Sequence, residues 1–396
     1  MVNALKSRLH IAFFNLPHAP EVHASCSLVQ TLVRRGFRVT YVTSDRFSGE
    51  VAELGAEVIR CPLYKPTSTD TALLGKECYE EISLSAHTLL HVTPFYQTNK
   101  PDLIIYDHVS YAGLILSMKW DIPAIETDAD LAFERANPNL LSESVRKSRE
   151  ARIAGNAVVN KFLESYGVDP IDSALQGQSP TLYWYPKIYQ LQGDSLGYTC
   201  VYAGRCAAER PYRGTWQRTS AGDRPIVLVS TSTAYVQGPE YFNMCIQALL
   251  GLPWHVVLAI GSNNDPESLR PLPTNVEIVQ NVPQLKILPY VSVLICLGGP
   301  ITTWEAMYHG IPLIMITPGH SDPEAYADHA VELGIGIHLR KPDATVENIK
   351  RALERVQSSV AIRNQVKRMQ YAVRRSWGAE ESANFVEEYL SFKLAV

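Results

Sequence analysis

Several titratable side chains in this sequence directly follow apolar runs of strand length. His18 and His23 follow the first such run, which ends at Leu16, and Asp107 and His108 close a later one. Imidazole and carboxyl groups held at such points can move protons to and from a bound molecule. The same groups can instead be solvated or cap the helix that follows, and the sequence alone leaves both roles open.

Polar and aromatic side chains follow other runs as well. Glu126 and Asp128 stand at the end of one, with a solvated loop as the alternative to a functional role, and Trp184 lies in a Tyr-Trp-Tyr stretch. This aromatic stretch predicts core packing or, alternatively, an apolar wall against a ligand. The candidate substrate-binding residues are His108, Glu126, Trp184, His320 and Asp322.

The apolar runs alternate with helical patterns along the chain. Strand-like runs at 10–16 and 38–43 flank a helical pattern, with a loop predicted at 17–25. A strand, a helix and a strand within about 35 residues form a βαβ unit, whose strands pair in parallel. Strands are also predicted at 103–106, 123–127, 226–230, 254–260, 276–279, 293–296, 313–316 and 336–339. The predicted fold class is α/β, with two doubly wound sheets.

Two sheets imply two domains. The first is predicted over residues 1–205 and the second over 225–376, joined by a polar, Gly- and Arg-rich linker at 206–224. A last helix is predicted at 377–396, after a break at Trp377-Gly378. Ligands of open α/β sheets bind beyond the carboxyl ends of the strands, which is where the polar groups named above are predicted to lie.

Composition narrows the function classes. The 396 residues carry 36 Lys and Arg against 40 Asp and Glu, whereas a nucleic-acid-binding protein normally has a basic excess. No apolar run reaches the roughly 20 residues of a membrane span, and the start of the chain lacks a signal-peptide pattern. The seven cysteines are scattered without a Cys-x-x-Cys pair. We therefore expect no disulfide framework, no metal site and a cytoplasmic location.

Five segments of the chain carry a resemblance to a known family. They are residues 35–41 (RGFRVTY), 101–107 (PDLIIYD), 223–230 (DRPIVLVS), 281–288 (NVPQLKIL) and 298–307 (GGPITTWEAM). In order and spacing the chain resembles the macrolide-type family 1 glycosyltransferases, which have the GT-B fold of two Rossmann-like domains facing across a cleft. The resemblance implies a first domain for a hydrophobic acceptor, a second for a nucleotide sugar, and a final helix that crosses back to the first domain.

The family's acceptor loop carries a His that deprotonates the acceptor hydroxyl and depends on an Asp for its orientation. In register with residues 35–41, the His position falls on Glu21 and the Asp position matches Asp107. The resemblance therefore implies Glu21 as the acid/base group, assisted by Asp107 and by His18 or His23. Two close carboxyl groups cannot both ionise freely, so we expect one raised pKa in the Glu21–Asp107 pair.

The donor loop at 297–305 keeps part of the family pattern. The family's phosphate-binding His and Asn are replaced by Leu297 and Ile301, which cannot donate hydrogen bonds, and Pro300 removes a backbone N–H. These replacements predict loss of ordinary nucleotide-sugar binding. If a nucleotide sugar does bind, the resemblance implies contacts from Val282, Gln284, Gly298, Gly299, Thr302, Thr303 and Glu305.

Three functions are consistent with this pattern. The first is an enzyme on a glycosyltransferase scaffold that performs acid/base chemistry on a hydrophobic natural product, such as cyclisation, isomerisation or elimination, without a cofactor. The second is an atypical glycosyltransferase, for which a nucleotide sugar is the co-substrate. The third is a non-catalytic auxiliary binding protein. In each case we expect a hydrophobic small molecule as the partner and neither nucleic acid nor an integral membrane contact, with a homodimer left open.

Overall fold

The computed structural model of the chain describes residues 9–62, 76–129, 143–169, 179–190, 200–204, 206, 216–218, 222–231, 237–261, 263–269, 271–280, 282–317, 319 and 321–395. The chain forms two compact units. The first comprises Met1–Asn137, Arg149–Arg210 and Ser376–Val396, and the second comprises Pro138–Ser148 and Pro211–Arg375. The predicted first domain included residues 143–148, but in the structure these residues belong to the second unit.

The first unit is built on a parallel sheet of seven strands with the spatial order β3-β2-β1-β4-β5-β6-β7. The strands are β1 (His10–Phe14), β2 (Arg38–Thr43), β3 (Glu57–Arg60), β4 (Leu103–Asp107), β5 (Ala124–Asp128), β6 (Thr181–Tyr183) and β7 (Cys200–Tyr202). The helices between them are α1 (Ala19–Arg34), α2 (Asp45–Glu53), α3 (Lys76–Thr98), α4 (Tyr111–Trp120) and α5 (Glu143–Ser165).

The centre of this sheet is formed by β1 and β4, which are buried along their whole length. Continuous apolar strands of this kind are typical of parallel sheets that are covered on both faces. Phe13 of β1 pairs with Tyr41 of β2 on one side and with Ile105 of β4 on the other. The strand order therefore reverses between β1 and β4, which makes this the switch point where open α/β sheets bind ligands.

The second unit repeats the arrangement with six parallel strands in the order β10-β9-β8-β11-β12-β13. The strands are β8 (Ile226–Ser230), β9 (His255–Ala259), β10 (Val276–Val279), β11 (Val291–Cys296), β12 (Leu313–Ile316) and β13 (Gly336–Leu339). The helices are α6 (Pro239–Leu249), α7 (Gln284–Ile287), α8 (Pro300–His309), α9 (Ser321–Glu332), α10 (Val346–Ser358) and α11 (Val360–Arg374). Its switch point lies between β8 and β11, where Ser230 and Leu297 stand.

Two doubly wound parallel sheets were predicted from the sequence, and the structure confirms them. The predicted loop at 17–25 is wrong, because α1 begins at Ala19. Pro20 occupies the first turn of this helix, where a missing backbone N–H costs no intrahelical hydrogen bond. Glu21 and His23 therefore lie on a helix, and only His18 precedes it as the N-cap residue.

Three strands escaped the sequence analysis. β6 and β7 have only three residues each, and β3 is a four-residue strand with a charged residue at each end, so none of them shows a recognisable apolar run. β3 and β7 form the two edges of the sheet and are only partly buried, so burial does not impose an apolar sequence on them.

The last helix, α12 (Ala379–Ala395), belongs to the first unit. Arg35, just after α1, donates to Oδ1 of Asn384 at 2.8 Å, to Oε1 of Glu387 at 3.1 Å and to the carbonyl of Glu380 at 3.0 Å. On the apolar side of the same helix Val386 and Leu390 are buried. Arg35 therefore fastens a helix from the end of the chain to the first helix of the unit.

Replacing Arg35 with Ala tests this attachment. The Arg35 side chain is 20% exposed, and the loss of its several charge-assisted bonds should lower the free energy of unfolding by about 1–2 kcal/mol. Arg34→Ala is the matched control, because that side chain is 62% exposed and such surface pairs contribute at most about 1 kcal/mol. Urea-induced unfolding measures both, and equal losses in the two variants would contradict the assigned role of Arg35.

Candidate functional site

Asp107 is the last residue of β4 and is fully buried. Its Oδ1 accepts the backbone N–H of Val109 at 3.2 Å, and its carbonyl accepts the N–H of Ser110 at 2.7 Å. These bonds turn the chain sharply from β4 towards α4. The carboxyl group is therefore held at the switch point by the turn that it helps to form.

The imidazole of His108 lies between two carboxyl groups. Its Nδ1 is 3.2 Å from Oδ1 of Asp128 and 3.5 Å from Oδ1 of Asp107. The backbone N–H of His108 donates to the carbonyl of Thr127 at 2.9 Å, which holds this turn against the end of β5. Both carboxyl groups therefore lie within ion-pair distance of the same ring nitrogen. The arrangement is an imidazole flanked by two carboxyl groups.

Asp128 and Glu126 belong to β5 itself. The solvated-loop alternative for them is wrong, because the strand extends one residue beyond its predicted end and Asp128 is buried. Glu126 is half-buried and accepts long hydrogen bonds from the hydroxyls of Tyr106 at 3.5 Å and Thr181 at 3.4 Å. The two carboxyl groups therefore differ in role, since Asp128 faces His108 whereas Glu126 contacts neighbouring strands.

Glu21 lies half-buried in the first turn of α1. Nδ2 of Asn15 donates to the carbonyl of Glu21 at 3.0 Å. The hydroxyl of Tyr41 on β2 lies 2.9 Å from the hydroxyl of Ser25 on α1. Burial raises the pKa of Tyr41 well above its ordinary value, and the carboxyl group of Asp107 acts in the same direction. Asn15 and Tyr41 thus hold the first turns of α1 against the sheet. The Glu21–Asp107 carboxyl pair stays a prediction.

The two histidines near Glu21 have different surroundings. Nε2 of His23 lies 3.4 Å from Oε1 of Glu50 on α2, and its ring contacts the edge of Phe47. His18 is exposed at the N-cap of α1, yet desolvation by neighbouring protein atoms lowers its pKa, with Glu80 acting in the opposite direction. His18 is therefore neutral at pH 7 and can accept a proton, whereas His23 is engaged by Glu50.

Trp184 directly follows β6 and has no exposed surface. Its backbone N–H donates to the carbonyl of Asp128 at 2.9 Å, which places it beside the end of β5. Tyr183 next to it contacts the rings of Tyr185 and Tyr202, with centroids 5.1 and 5.5 Å away. The aromatic stretch therefore forms core, and Trp184 supports the edge that carries Asp128.

In the second unit, three polar side chains form a chain of hydrogen bonds. The hydroxyl of Ser230, at the end of β8, donates to Oε1 of Gln284 at 3.1 Å. Nε2 of Gln284 donates to Oε2 of Glu305 at 2.5 Å, and Glu305 is 0% exposed. Two of the residues that the resemblance assigns to the nucleotide thus bind each other. Val282, a third, is half-buried just before α7.

The donor loop passes from β11 through two glycines into α8. Gly298 has φ +79°, a left-handed conformation that glycine adopts without strain, and Gly299 is the N-cap of α8. Leu297 is 3% exposed and Ile301 is 9% exposed, so both side chains pack into the protein. The two positions at which the resemblance places a His and an Asn are thus occupied by apolar side chains that pack into the core.

Little hydrogen-bonding capacity remains at this loop. The hydroxyl of Thr303 donates to the carbonyl of Gly299 at 3.0 Å, and Pro300 has no N–H. The backbone N–H groups of Ile301 and Thr302 stand in the first turn of α8, where helix geometry gives them no intrahelical acceptor. Together with the N–H of the N-cap residue Gly299 and the half-buried Thr302 side chain, they are groups that could approach an anion.

A further polar network was missed by the sequence analysis. Asp328 on α9 accepts the hydroxyl of Ser144 at 2.6 Å and Nδ1 of His338 at 2.7 Å, and it pairs with Arg340 at 2.7 Å. Nε2 of His338 lies 2.8 Å from Oγ1 of Thr317, just after β12. This network fixes α9 against the ends of β12 and β13. Ser144 and Asp328 are 184 residues apart, so no local spacing reveals the network.

Two predicted site residues cannot be placed here. His320 lies outside the described residues, and so does the side chain of Asp322, although its backbone begins α9.

The comparisons with known proteins agree with this architecture. The family described as "Erythromycin biosynthesis protein CIII-like, C-terminal domain" matches residues 244–382. The NDP-glycosyltransferase YjiC of Bacillus subtilis is 31% identical over 394 residues, which cover 97% of this chain and 98% of that protein. The chain belongs to the macrolide-type family 1 glycosyltransferases. Demethyllactenocin mycarosyltransferase of Streptomyces fradiae, another relative, is 30% identical over 96% of this chain and 87% of its own length.

Solved structures give the same assignment for the fold. The crystal structure of CalG4, the calicheamicin glycosyltransferase, superposes with a TM-score of 0.81 at 31% identity, covering 97% of this chain and 98% of that one. This family 1 member therefore has the GT-B fold of two Rossmann-like units. None of the helices in the described part of the chain combines the length and apolar character that crossing a bilayer requires.

The Asp328 network makes a testable contribution to stability. Burial acts to raise the pKa of Asp328. Hydrogen bonds from Ser144 and His338 and the charge of Arg340 outweigh this effect and lower the pKa of Asp328 below its ordinary value. Asp328→Asn should therefore lower the free energy of unfolding at pH 7 by about 2 kcal/mol.

The pH dependence follows from the lowered pKa of Asp328. A carboxyl group with a depressed folded-state pKa stabilises the fold above its unfolded-state pKa of about 3.9 and loses this effect as the pH falls further. The difference in unfolding free energy between wild type and Asp328→Asn, measured with urea, should therefore shrink as the pH falls below about 4. Glu332→Gln, a more exposed position on the same helix, is the control. A difference that grows below about pH 4 would contradict the assignment.

Proposed function

We propose that this family 1 member acts on a hydrophobic small molecule by acid/base catalysis in its first unit and does not use a nucleotide sugar. Cyclisation, isomerisation or elimination are the reaction classes that need only proton transfers of this kind. The observation that carries the proposal is the apolar donor loop, in which Leu297 and Ile301 are buried where the family binds phosphate.

The residues of the second unit that would contact the nucleotide itself support this proposal as well. Glu305, the residue that would hold the ribose, has no exposed surface and is bound to Gln284. A nucleotide would have to displace that hydrogen bond and then place its diphosphate on backbone N–H groups and the Thr302 hydroxyl, without an imidazole or amide side chain. The side chains present therefore do not fit a diphosphate.

The first unit retains what acid/base chemistry requires. Nε2 of His108 would take a proton from the substrate, while Asp128 holds the Nδ1 proton and stabilises the imidazolium that forms. Asp107 adds a second carboxyl group within 3.5 Å of the same nitrogen. Glu21 would act as the general acid, with His108 as the base, and would donate a proton to another atom of the substrate. The proton held by His108 would then pass through solvent to Glu21, which restores both groups, and no oxidant or reductant is needed.

The proposed substrate class follows from the relatives. CalG4 is named for calicheamicin and the Streptomyces fradiae relative for demethyllactenocin. We propose that this chain likewise takes a natural product, and that the first unit binds it at the edge formed by the ends of β1, β4 and β5.

Glycosyl transfer is the second candidate function, because two observations favour it. The relatives over the full length are glycosyltransferases, and Ser230, Gln284 and Glu305 retain a connected set of polar groups. In that case Glu21 or His108 would deprotonate the acceptor hydroxyl, and the phosphates would need donors other than the family's His and Asn.

Mass spectrometry of the producing cell separates the two candidates. A strain that lacks this protein should accumulate an intermediate, and complementation should convert it into a product of equal mass or of a mass lower by one water. A product heavier by one sugar residue would overturn the proposal in favour of glycosyl transfer. An unchanged metabolite profile would instead indicate the auxiliary role.

Variants of the acid/base residues extend this test. Asp128→Asn and Glu21→Gln should each reduce product formation in the complemented strain by about 10²-fold or more, because general acid/base catalysis contributes about 10²–10⁴-fold. Asp121→Asn is the matched control, since Asp121 is exposed and has φ 53°, a conformation that Asn tolerates. Full activity of both site variants would contradict the assigned roles.

A further inference from the structure

Three side chains with metal-binding chemistry meet beside the edge strand of the first unit. Cys61 directly follows β3, and His87 and His91 lie one turn apart on α3. One ligand atom from each of the three lies within 4.8 Å of the other two. Ligand atoms around a tetrahedral zinc ion are about 3.5 Å apart, so modest side-chain rotations bring the three atoms to coordinating positions.

Backbone carbonyls orient both imidazoles. Nε2 of His87 lies 3.0 Å from the carbonyl oxygen of Pro62, and Nδ1 of His91 lies 2.8 Å from the carbonyl oxygen of His87. A carbonyl can only accept a hydrogen bond, so each of these nitrogens carries a proton. A metal would therefore bind Nδ1 of His87 and Nε2 of His91. Metal-bound histidines in proteins characteristically donate their second ring N–H to a carbonyl or carboxylate in this way.

The third ligand has a suitable surrounding as well. Cys61 is buried, with Sγ 3.6 Å from the hydroxyl of Thr88, which can donate a hydrogen bond to a thiolate. His87 is partly exposed and His91 is exposed, so an ion can enter from that side. One thiolate and two imidazoles are soft and borderline ligands, which suit Zn²⁺ and not Mg²⁺ or Ca²⁺.

We propose that Cys61, His87 and His91 bind one Zn²⁺ ion, with water in the fourth position. Binding replaces the thiol proton of Cys61, which passes to solvent. The ion would tie the end of β3 to the middle of α3. β3 is three strands away from β4, roughly 14 Å at about 4.8 Å per strand, so the site is separate from His108.

The sequence offered little sign of this site. Only the two histidines have a recognisable spacing, four residues on one helix, and Cys61 is 26 residues before the first of them. The expectation of no metal site rested on the missing Cys-x-x-Cys pair, which is a different ligand pattern.

Titration of the chelator-treated full chain with Zn²⁺ and with Co²⁺ tests the proposal. Calorimetry should give one Zn²⁺ per chain with micromolar or tighter affinity, and Co²⁺ should give the intense visible absorption of a tetrahedral site together with a thiolate-to-cobalt charge-transfer band. His91→Gln and Cys61→Ser should each weaken Zn²⁺ binding by more than the roughly 10–100-fold that outer-shell changes cause. Cys61→Ser should also abolish the charge-transfer band.

The control is Cys200→Ser, a partly exposed thiol on β7, which should leave binding and spectra unchanged. His91 is exposed on a helix, so His91→Gln should fold normally, which far-UV circular dichroism verifies. Absence of stoichiometric Zn²⁺ binding would overturn the proposal. So would binding that survives both Cys61→Ser and His91→Gln. None of these readouts depends on the reaction proposed above.

Discussion

The central parallel strands are buried on both faces, and this confines the groups that can do chemistry to the carboxyl ends of the strands in each sheet. β1, β4, β8 and β9 are buried throughout. A charged group in the middle of such a strand would lose its hydration without gaining a partner, which is strongly unfavourable. Polar groups therefore appear where strands end. Asp107, Asp128 and Ser230 are each the last residue of a strand.

The strand ends of the two sheets carry different chemical groups. In the first unit they carry an imidazole between two carboxyl groups, and these groups can transfer protons. In the second unit, under the proposed function, the absence of two side-chain donors to a diphosphate, at about 1.5–3 kcal/mol each, would correspond to roughly 3–6 kcal/mol or 10²–10⁴-fold in affinity. The helix dipole of α8 would contribute only about 0.3–1 kcal/mol in compensation. The proposed function thus keeps the family fold and gives up donor binding.

Most of the fold could be predicted from the sequence, because long buried strands must be apolar and the helices between them are amphipathic. β3, β6 and β7 could not, since β6 and β7 have only three residues each and charged residues stand at both ends of β3. The site was predictable where it depends on chain position, as for Asp107 and His108. Contacts of the site that depend on which elements pack side by side were not predictable. Asp128 meets His108 only because β5 lies beside β4, and Asp328 meets His338 only because α9 packs on β13.

The account depends most on the claim that the donor loop no longer holds a nucleotide diphosphate. Calorimetric titration of the full chain with UDP, UDP-glucose and dTDP-sugars measures this directly. The apolar loop and the buried Glu305 predict dissociation constants in the millimolar range or no detectable binding. A micromolar dissociation constant for any of these ligands would contradict the claim and restore sugar transfer as the function of this chain.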